Sequence, residues 1–248
     1  MKPKDQVLEV WGEFACFTRP ELKVERFSYP VPTPSAVRGI YDAIYCKPKE
    51  FRWQVTYIEI LAMPQYIALR RNEVKDKVNV KKVYEWMSGK SPPEPIWADG
   101  TKDELGTDLK GRTQRQTMAL RDVRYRLHAE IRPWPGFEER LSGFEEQFRR
   151  RAAHGKCIYQ PYFGCREFPA YFELVQVGAP AAETVNWSQD LGLMLYDVFD
   201  LARPGERIME AEDVCISAFR ASVQKGILRV PEYTSSEVVK VPNGGQHA

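Results

Sequence analysis

Basic side chains set among aromatic and turn-forming residues are the feature of this sequence with the clearest chemical use. Arg19, Lys23 and Arg26 follow Thr18 in a Pro-punctuated loop that also holds Phe17, Phe27 and Tyr29. Arg38 lies on the polar face of a helical pattern that ends near Tyr45 and Lys47. Arg126 and His128 share the charged side of an alternating segment, Arg149, Arg150 and Arg151 with Lys156 close a second helical run, and Arg166 sits in the block GCREF. Guanidinium and ammonium groups hold phosphates, and aromatic rings stack on unpaired bases, so the mixture suits RNA. The same charges also read as an ordinary solvated surface, with Arg149 to Arg151 simply complementing the negative end of a helix. Residue types alone leave both readings open.

Groups able to move a proton are few. The histidines are His128, His154 and His247, and an imidazole titrates near neutrality. His154 stands two residues before Lys156, a basic and titratable pair, while His247 lies in the tail. A surface histidine without catalytic duty is the alternative for both His128 and His154. Tyr45, at the end of a helical pattern, reads from position alone as a packing or stacking residue. No GxxxxGK[ST], HExxH or GxSxG motif is present. Asp99, Asp103, Glu104 and Asp108 have oxygen ligands that suit Mg²⁺, but Lys102 and Lys110 stand among them in a Pro/Gly loop, so they read as solvated charge. No metal and no cofactor is expected.

The elements that must position these groups can be read from periodicity. Gln6 to Phe17 has strand alternation, and Pro34 to Lys47 has a helical stripe of Ala36, Val37, Ile40, Tyr41 and Ile44 behind a Thr33 cap and an N-terminal proline. Phe51 to Met63 and Tyr66 to Arg71 predict two more strands. Ser88 to Gln116, dense in Pro, Gly and charge, predicts a long loop. From Asp122 to Arg132, Val123, Tyr125, Leu127, Ala129 and Ile131 alternate with charged residues, which predicts a strand with one buried face. Gly136 to His154 has helical spacing in Phe137, Leu141, Phe144, Phe148 and Ala152. CIYQPYFGCREFPAYFELVQV then supplies a strand or strand pair. A short helix is predicted at Leu191 to Phe199 and a β segment at Ile227 to Val230, and the tail VPNGGQHA is expected to fray. The order predicts an α+β protein with a ferredoxin-like or RRM-like βαββαβ core. Residues 1–177 would form an RNA-binding domain with an insertion at about 88–116, and residues 178–248 a C-terminal β-rich extension.

Composition bounds the class. The 248 residues, 43% of them hydrophobic, can bury a real core. Thirty-six basic against 34 acidic side chains give a formal +2, too balanced for whole-protein charge to argue for nucleic acid. Five cysteines without a CxxC pair indicate neither a zinc site nor a disulfide framework. Reduced thiols and the lack of an apolar signal core or spanning segment lead us to expect a soluble cytoplasmic protein with no membrane partner.

Three blocks carry a resemblance. Trp11, Gly12, Ala15, Phe17, Thr18, Arg19 and Pro20, then GCREFPAYFEL from Gly164 to Leu174, then DLGLMLYDVF from Asp190 to Phe199, resemble the CRISPR-associated Cas five family, Dvulg subtype, of type I-C systems within the RAMP superfamily. The resemblance spans most of the chain in the family's order. It implies a subunit of the Cascade surveillance complex that binds the 5′ handle of crRNA and cuts pre-crRNA at the base of the repeat hairpin, without metal. Attack by a ribose 2′-hydroxyl on the adjacent phosphate would leave a cyclic phosphate and a 5′-hydroxyl. The resemblance also implies a Cas seven backbone and a Cas eight large subunit as partners, with target DNA met indirectly. It associates catalysis with a Tyr at the end of the first helix and a Lys-His pair at the start of the second. Tyr45 matches the Tyr; the pair falls on Gly143 and Phe144, leaving His154 and Lys156 as substitutes. The alternative is a non-catalytic subunit that caps the 5′ end of crRNA.

Overall fold

The computed structural model describes residues 2–22, 24–75, 77–97, 102–106, 110–176, 178–205 and 215–240. Its strands are β1 (Gln6–Ala15), β2 (Phe51–Ile60), β3 (Gln65–Val74), β4 (Arg112–Pro133), β5 (Tyr171–Leu174), β6 (Gln189–Asp197), β7 (Ser217–Gln224), β8 (Ile227–Arg229) and β9 (Val238–Lys240). Its helices are α1 (Pro34–Ile44), α2 (Val80–Met87), α3 (Lys102–Leu105) and α4 (Leu141–Ala153). The chain is mixed α/β, built on a large antiparallel sheet in the order β5-β1-β4-β2-β8-β7-β6, with β9 on β7 and β3 on β4. Two compact units divide it: residues 1–67 with 119–248, and residues 68–118.

In the larger unit the alternation of β4 works as its sequence predicts. Val123, Tyr125, Leu127, Ala129 and Ile131 are buried beside Leu8 and Val10 of β1. Two helices cover this face. Thr33 caps α1, its Oγ1 accepting from the Ala36 N–H at 3.2 Å, and Pro34 occupies the first turn where no donor is needed. Val37, Ile40, Tyr41 and Ile44 then turn inward. The Tyr41 hydroxyl lies 2.7 Å from the Gln6 carbonyl and 2.8 Å from that of Leu127, tying α1 to β1 and β4. From α4, Phe148 stacks on Tyr41, and the Trp53 ring of β2 stands 4.8 Å from both. Each such large side chain contributes about 1.5–3 kcal/mol by leaving water.

Several elements differ from the sequence expectation. β4 starts at Arg112, ten residues early, because its first turns alternate polar with polar and show no hydrophobic period. Leu191 to Phe199 lies largely in a strand instead of a helix: β6 pairs along β7 from Gln189 opposite Val223 to Asp197 opposite Ser217. A short apolar run does not reveal its own period, and the partner strand decides it. α1 stops at Ile44, and a 3-10 turn at Glu138–Arg140 precedes α4.

The smaller unit holds most of β3, the start of β4, α2 and α3. α2 was not expected; Asn79 caps it by accepting from the Lys81 and Lys82 N–H groups. Glu73 and Arg115 pair at 3.2 Å. Asp99, Asp108, Val177 and the tail 241–248 lie outside the described residues. Among the described residues no helix is long and apolar enough to cross a membrane.

Candidate functional site

The end of α1 builds the first candidate site. Tyr45 leaves helical geometry (φ −151°, ψ 115°) while its N–H still bonds the Tyr41 carbonyl at 2.9 Å. Trp53 Nε1 donates to the Tyr45 carbonyl at 3.0 Å, and the Tyr45 ring packs 5.4 Å from Phe51. A phenol fixed this way, 8% exposed, borders a cavity of about 520 Å³ that Lys47, Glu139, Arg140, Gly143 and Phe144 also line. Burial pushes the Tyr45 phenol above its ordinary value; Lys47, Arg140 and Arg151 pull the other way with less effect. The group therefore keeps its proton at neutral pH.

Two cations flank that phenol. Lys47 Nζ lies 5.7 Å and the Arg140 guanidinium 5.1 Å from the centre of the Phe144 ring. Glu50 holds both, with Oε1 2.9 Å from Lys47 and Oε2 2.6 Å from Arg140. The second contact is an ion contact only: Glu50 Oε2 is buried and has no aligned hydrogen bond. One carboxylate thus balances two cations whose side chains stay open to solvent, 36% and 53% exposed. Gly143 and Phe144, the positions on which the resemblance places the Lys-His pair, line this cavity. Sequence reasoning missed Arg140, Glu139 and Glu50. The one signal for Arg140 and Glu139 is the acidic and basic cluster in the turn before α4, whose meaning depends on the contact between that turn and the end of α1; Glu50, just before β2, carries none.

A second cavity, about 680 Å³, is lined by Asp5, Tyr57, Glu59, Arg126, His128 and Arg149, among others. His128 is 5% exposed. Its Nδ1 is 2.6 Å from Asp5, its Nε2 3.4 Å from Glu59, and its ring stacks on Tyr57 at 3.8 Å. Arg126 pairs with Glu9 at 3.0 Å and donates to the Pro180 carbonyl at 3.0 Å. Burial, the largest influence on Glu9, favours the acid, but the hydrogen bonds and charges of Arg126 and Arg124 outweigh it and hold the carboxyl below its ordinary range. The polar side of β4 is therefore partly an internal network.

The remaining candidates are dispersed. Arg19 lies over Tyr29 at 4.6 Å and Phe27 at 5.9 Å, and its Nε is buried without a partner. Arg26 meets Glu167 at 3.2 Å, Arg166 is exposed, and Lys23 lies outside the described residues. Arg38 pairs with Asp42 at 2.6 Å and with the buried Asp197 at 2.7 Å. Arg149 donates to Gln6, Arg150 to Gln147, and Arg151 to the Ile44 carbonyl at the end of α1. His154 caps α4, its Nδ1 2.7 Å from the Arg150 carbonyl, and Lys156 is exposed; neither lines the Tyr45 cavity. His247 lies outside the described residues. Among those described, no group of three or more His, Cys, Asp or Glu is placed to hold a metal.

The three sequence blocks that carry the family resemblance do structural work. Cys16 N–H donates to the Phe163 carbonyl at 3.0 Å, which brings the chain leaving β1 against the second block. There Gly164 (φ +79°) has no room for a Cβ, which would overlap the Cys16 carbonyl oxygen, and Gly12 is less tight, a Cβ there meeting the Pro169 carbonyl oxygen at 2.8 Å and the Phe163 ring at 2.9 Å. Trp11 stacks on Tyr171, and the third block supplies Asp197 to Arg38.

The fold is similar to that of a solved structure described as "Crystal Structure of CRISPR-associated Protein", with a TM-score of 0.61 at 18% identity, covering 95% of this chain and 96% of that one. The family model described as CRISPR-associated protein (Cas_Cas5) matches residues 7–231. The proteins named "CRISPR pre-crRNA endoribonuclease Cas5d" from Thermus thermophilus and Mannheimia succiniciproducens are 35% and 36% identical to this chain, over 96% and 93% of its length and 96% of theirs. The chain belongs to the Cas5d family.

Proposed function

We propose that this chain is a pre-crRNA endoribonuclease that cuts the repeat without metal and keeps the 5′ handle of the crRNA. The observation that carries the reading is Tyr45: it stands at the end of α1, where the family resemblance asks for a catalytic tyrosine, and borders a cavity flanked by two cations. Near-full-length relatedness to two proteins named as pre-crRNA endoribonucleases supports it. The strand order β5-β1-β4-β2 with α1 and α4 between β strands supports a ferredoxin-like, RRM-like core. In this reading residues 1–177 carry RNA binding and residues 178–248 extend the same sheet. Arg19, Lys23, Arg26, Arg38, Lys47, Arg126, His128, Arg149 to Arg151 and Arg166 are the pool from which handle contacts come, with the exposed members, Arg150 and Arg166, the first to test. Two partner sets for Tyr45 compete: His154 with Lys156, and the groups in its own cavity. The protein would act in the cytoplasm within type I-C Cascade, beside the Cas seven backbone and the Cas eight large subunit.

A specific observation keeps a second reading, the non-catalytic cap on the crRNA 5′ end: Gly143 and Phe144 occupy the positions of the Lys-His pair. Incubating the protein with its cognate repeat RNA in EDTA separates the two. Cleavage to one product ending in a 2′,3′-cyclic phosphate supports the nuclease; tight binding with intact RNA at every protein excess supports the cap.

A further inference from the structure

The Tyr45 cavity contains a complete set of groups for phosphodiester cleavage once the absent Lys-His pair is no longer required. Resting on the nuclease reading above, we propose that Arg140 and Lys47 supply the cationic stabilisation, Glu139 the base and Tyr45 the acid, so that this chain cuts RNA without a histidine. Each role follows from placement. All four side chains line one cavity of about 520 Å³, enough for a phosphodiester with its flanking sugars. Lys47 and Arg140 approach the same Phe144 ring and share the Glu50 carboxylate, so both cations border the space a phosphate would fill. Glu50, bound to both, orients them and neutralises one charge, and the Glu139 carboxylate offsets the second until it takes the 2′-hydroxyl proton; at that moment one positive charge remains for the dianionic phosphorane.

The proton and bond changes balance. Glu139 takes the proton of the ribose 2′-hydroxyl as that oxygen forms a bond to phosphorus. Arg140 and Lys47 hold the equatorial oxygens. The bond from phosphorus to the 5′ oxygen breaks, and Tyr45 gives its proton to the departing oxygen, leaving a 2′,3′-cyclic phosphate and a 5′-hydroxyl. Water then returns a proton to Tyr45 and removes one from Glu139. The phenol is suited to the donor role because burial keeps it protonated against the pull of Lys47, Arg140 and Arg151 and beside Glu50. Neither described histidine is placed to compete: His154 is engaged with the Arg150 carbonyl beyond the cavity, and His128 is enclosed by Asp5, Glu59 and Tyr57 in another.

The test is single-turnover cleavage of the cognate repeat RNA in EDTA, with RNA affinity and melting temperature measured on the same preparations. Arg140→Ala is expected to slow cleavage by about 10²–10³-fold, the cost of removing one preorganised charge stabiliser. Affinity should fall less than tenfold and melting should hold. Arg140→Lys should recover part of the rate, which a purely structural role would not produce. Lys47→Ala and Glu139→Gln should each cut the rate at least tenfold. Wild-type rates in both Arg140→Ala and Lys47→Ala overturn the proposal, as does a rate lost in His154→Ala but kept in Arg140→Ala. Wild-type protein that binds the RNA and leaves it intact instead overturns the nuclease reading itself, and this proposal falls with it.

Discussion

The contact between the first two sequence blocks and the cavity at Tyr45 treat polar groups in opposite ways. Around Gly164 the close approaches are backbone on backbone: the Cys16 N–H is paired to Phe163, and the Cys16 carbonyl leaves no space for a side chain. The Arg38 cluster on α1, to which the third block contributes Asp197, is similar, its cation closed between two carboxylates. Burial opposes the charge on Arg38, but Asp197 and Asp42 outweigh it and keep the guanidinium charged. At Tyr45 the reverse holds. Two cations share one carboxylate, an oxygen of that carboxylate lacks an aligned bond, and the cations reach solvent. Over-determined geometry marks what the fold cannot do without, and solvent-open cations beside free volume mark where a substrate completes the interactions.

Breaking the first region should cost stability, and breaking the second should cost only chemistry. The largest effect is expected for Gly164→Ala, where a Cβ meets carbonyl backbone at positive φ: a loss above about 4–5 kcal/mol, read as failure to fold or a collapsed denaturation midpoint. Asp197→Ala comes next. It leaves the half-buried Arg38 with Asp42 alone and should cost up to about 3–5 kcal/mol by chemical denaturation. Arg140→Ala should change stability by less than about 0.5 kcal/mol while removing most of the cleavage rate, the inverse pattern. The smallest effect is in acid. Glu9, held below its ordinary range by Arg124 and Arg126, contributes stability present above the unfolded carboxylate value of about 4.3 and lost as pH falls through the lower folded value. A Glu9→Gln variant should therefore show a flatter melting curve against pH below that range.

The same contrast explains what the sequence makes legible. α1 was readable because Thr33, Pro34 and the Val37, Ile40, Tyr41, Ile44 stripe are local signals that agree. The charged side of β4 was readable as a face, but His128 is enclosed in part because the chain around Pro180 returns to it, and alternation carries no information about a later segment. β6 took its identity from β7, and α2 rests on a single Asn79 cap in the stretch between the predicted Tyr66 to Arg71 strand and the Ser88 to Gln116 loop, where the sequence predicts no element. At the site, Tyr45 was visible only through the family resemblance. Arg140 and Glu139 were invisible because their importance comes from which helix end they abut, a tertiary fact without a sequence period.

The Tyr45 hydroxyl is the group on which cleavage in this cavity depends. Tyr45→Phe keeps the ring against Phe51 and the carbonyl that accepts from Trp53. Measured in EDTA on cognate repeat RNA, this variant should melt with the wild type and bind RNA comparably, yet cleave about 10²–10⁴-fold more slowly, the range for losing a positioned proton donor. Cleavage at the wild-type rate by a well-folded Tyr45→Phe protein would contradict the assignment of this cavity as the place where the RNA is cut.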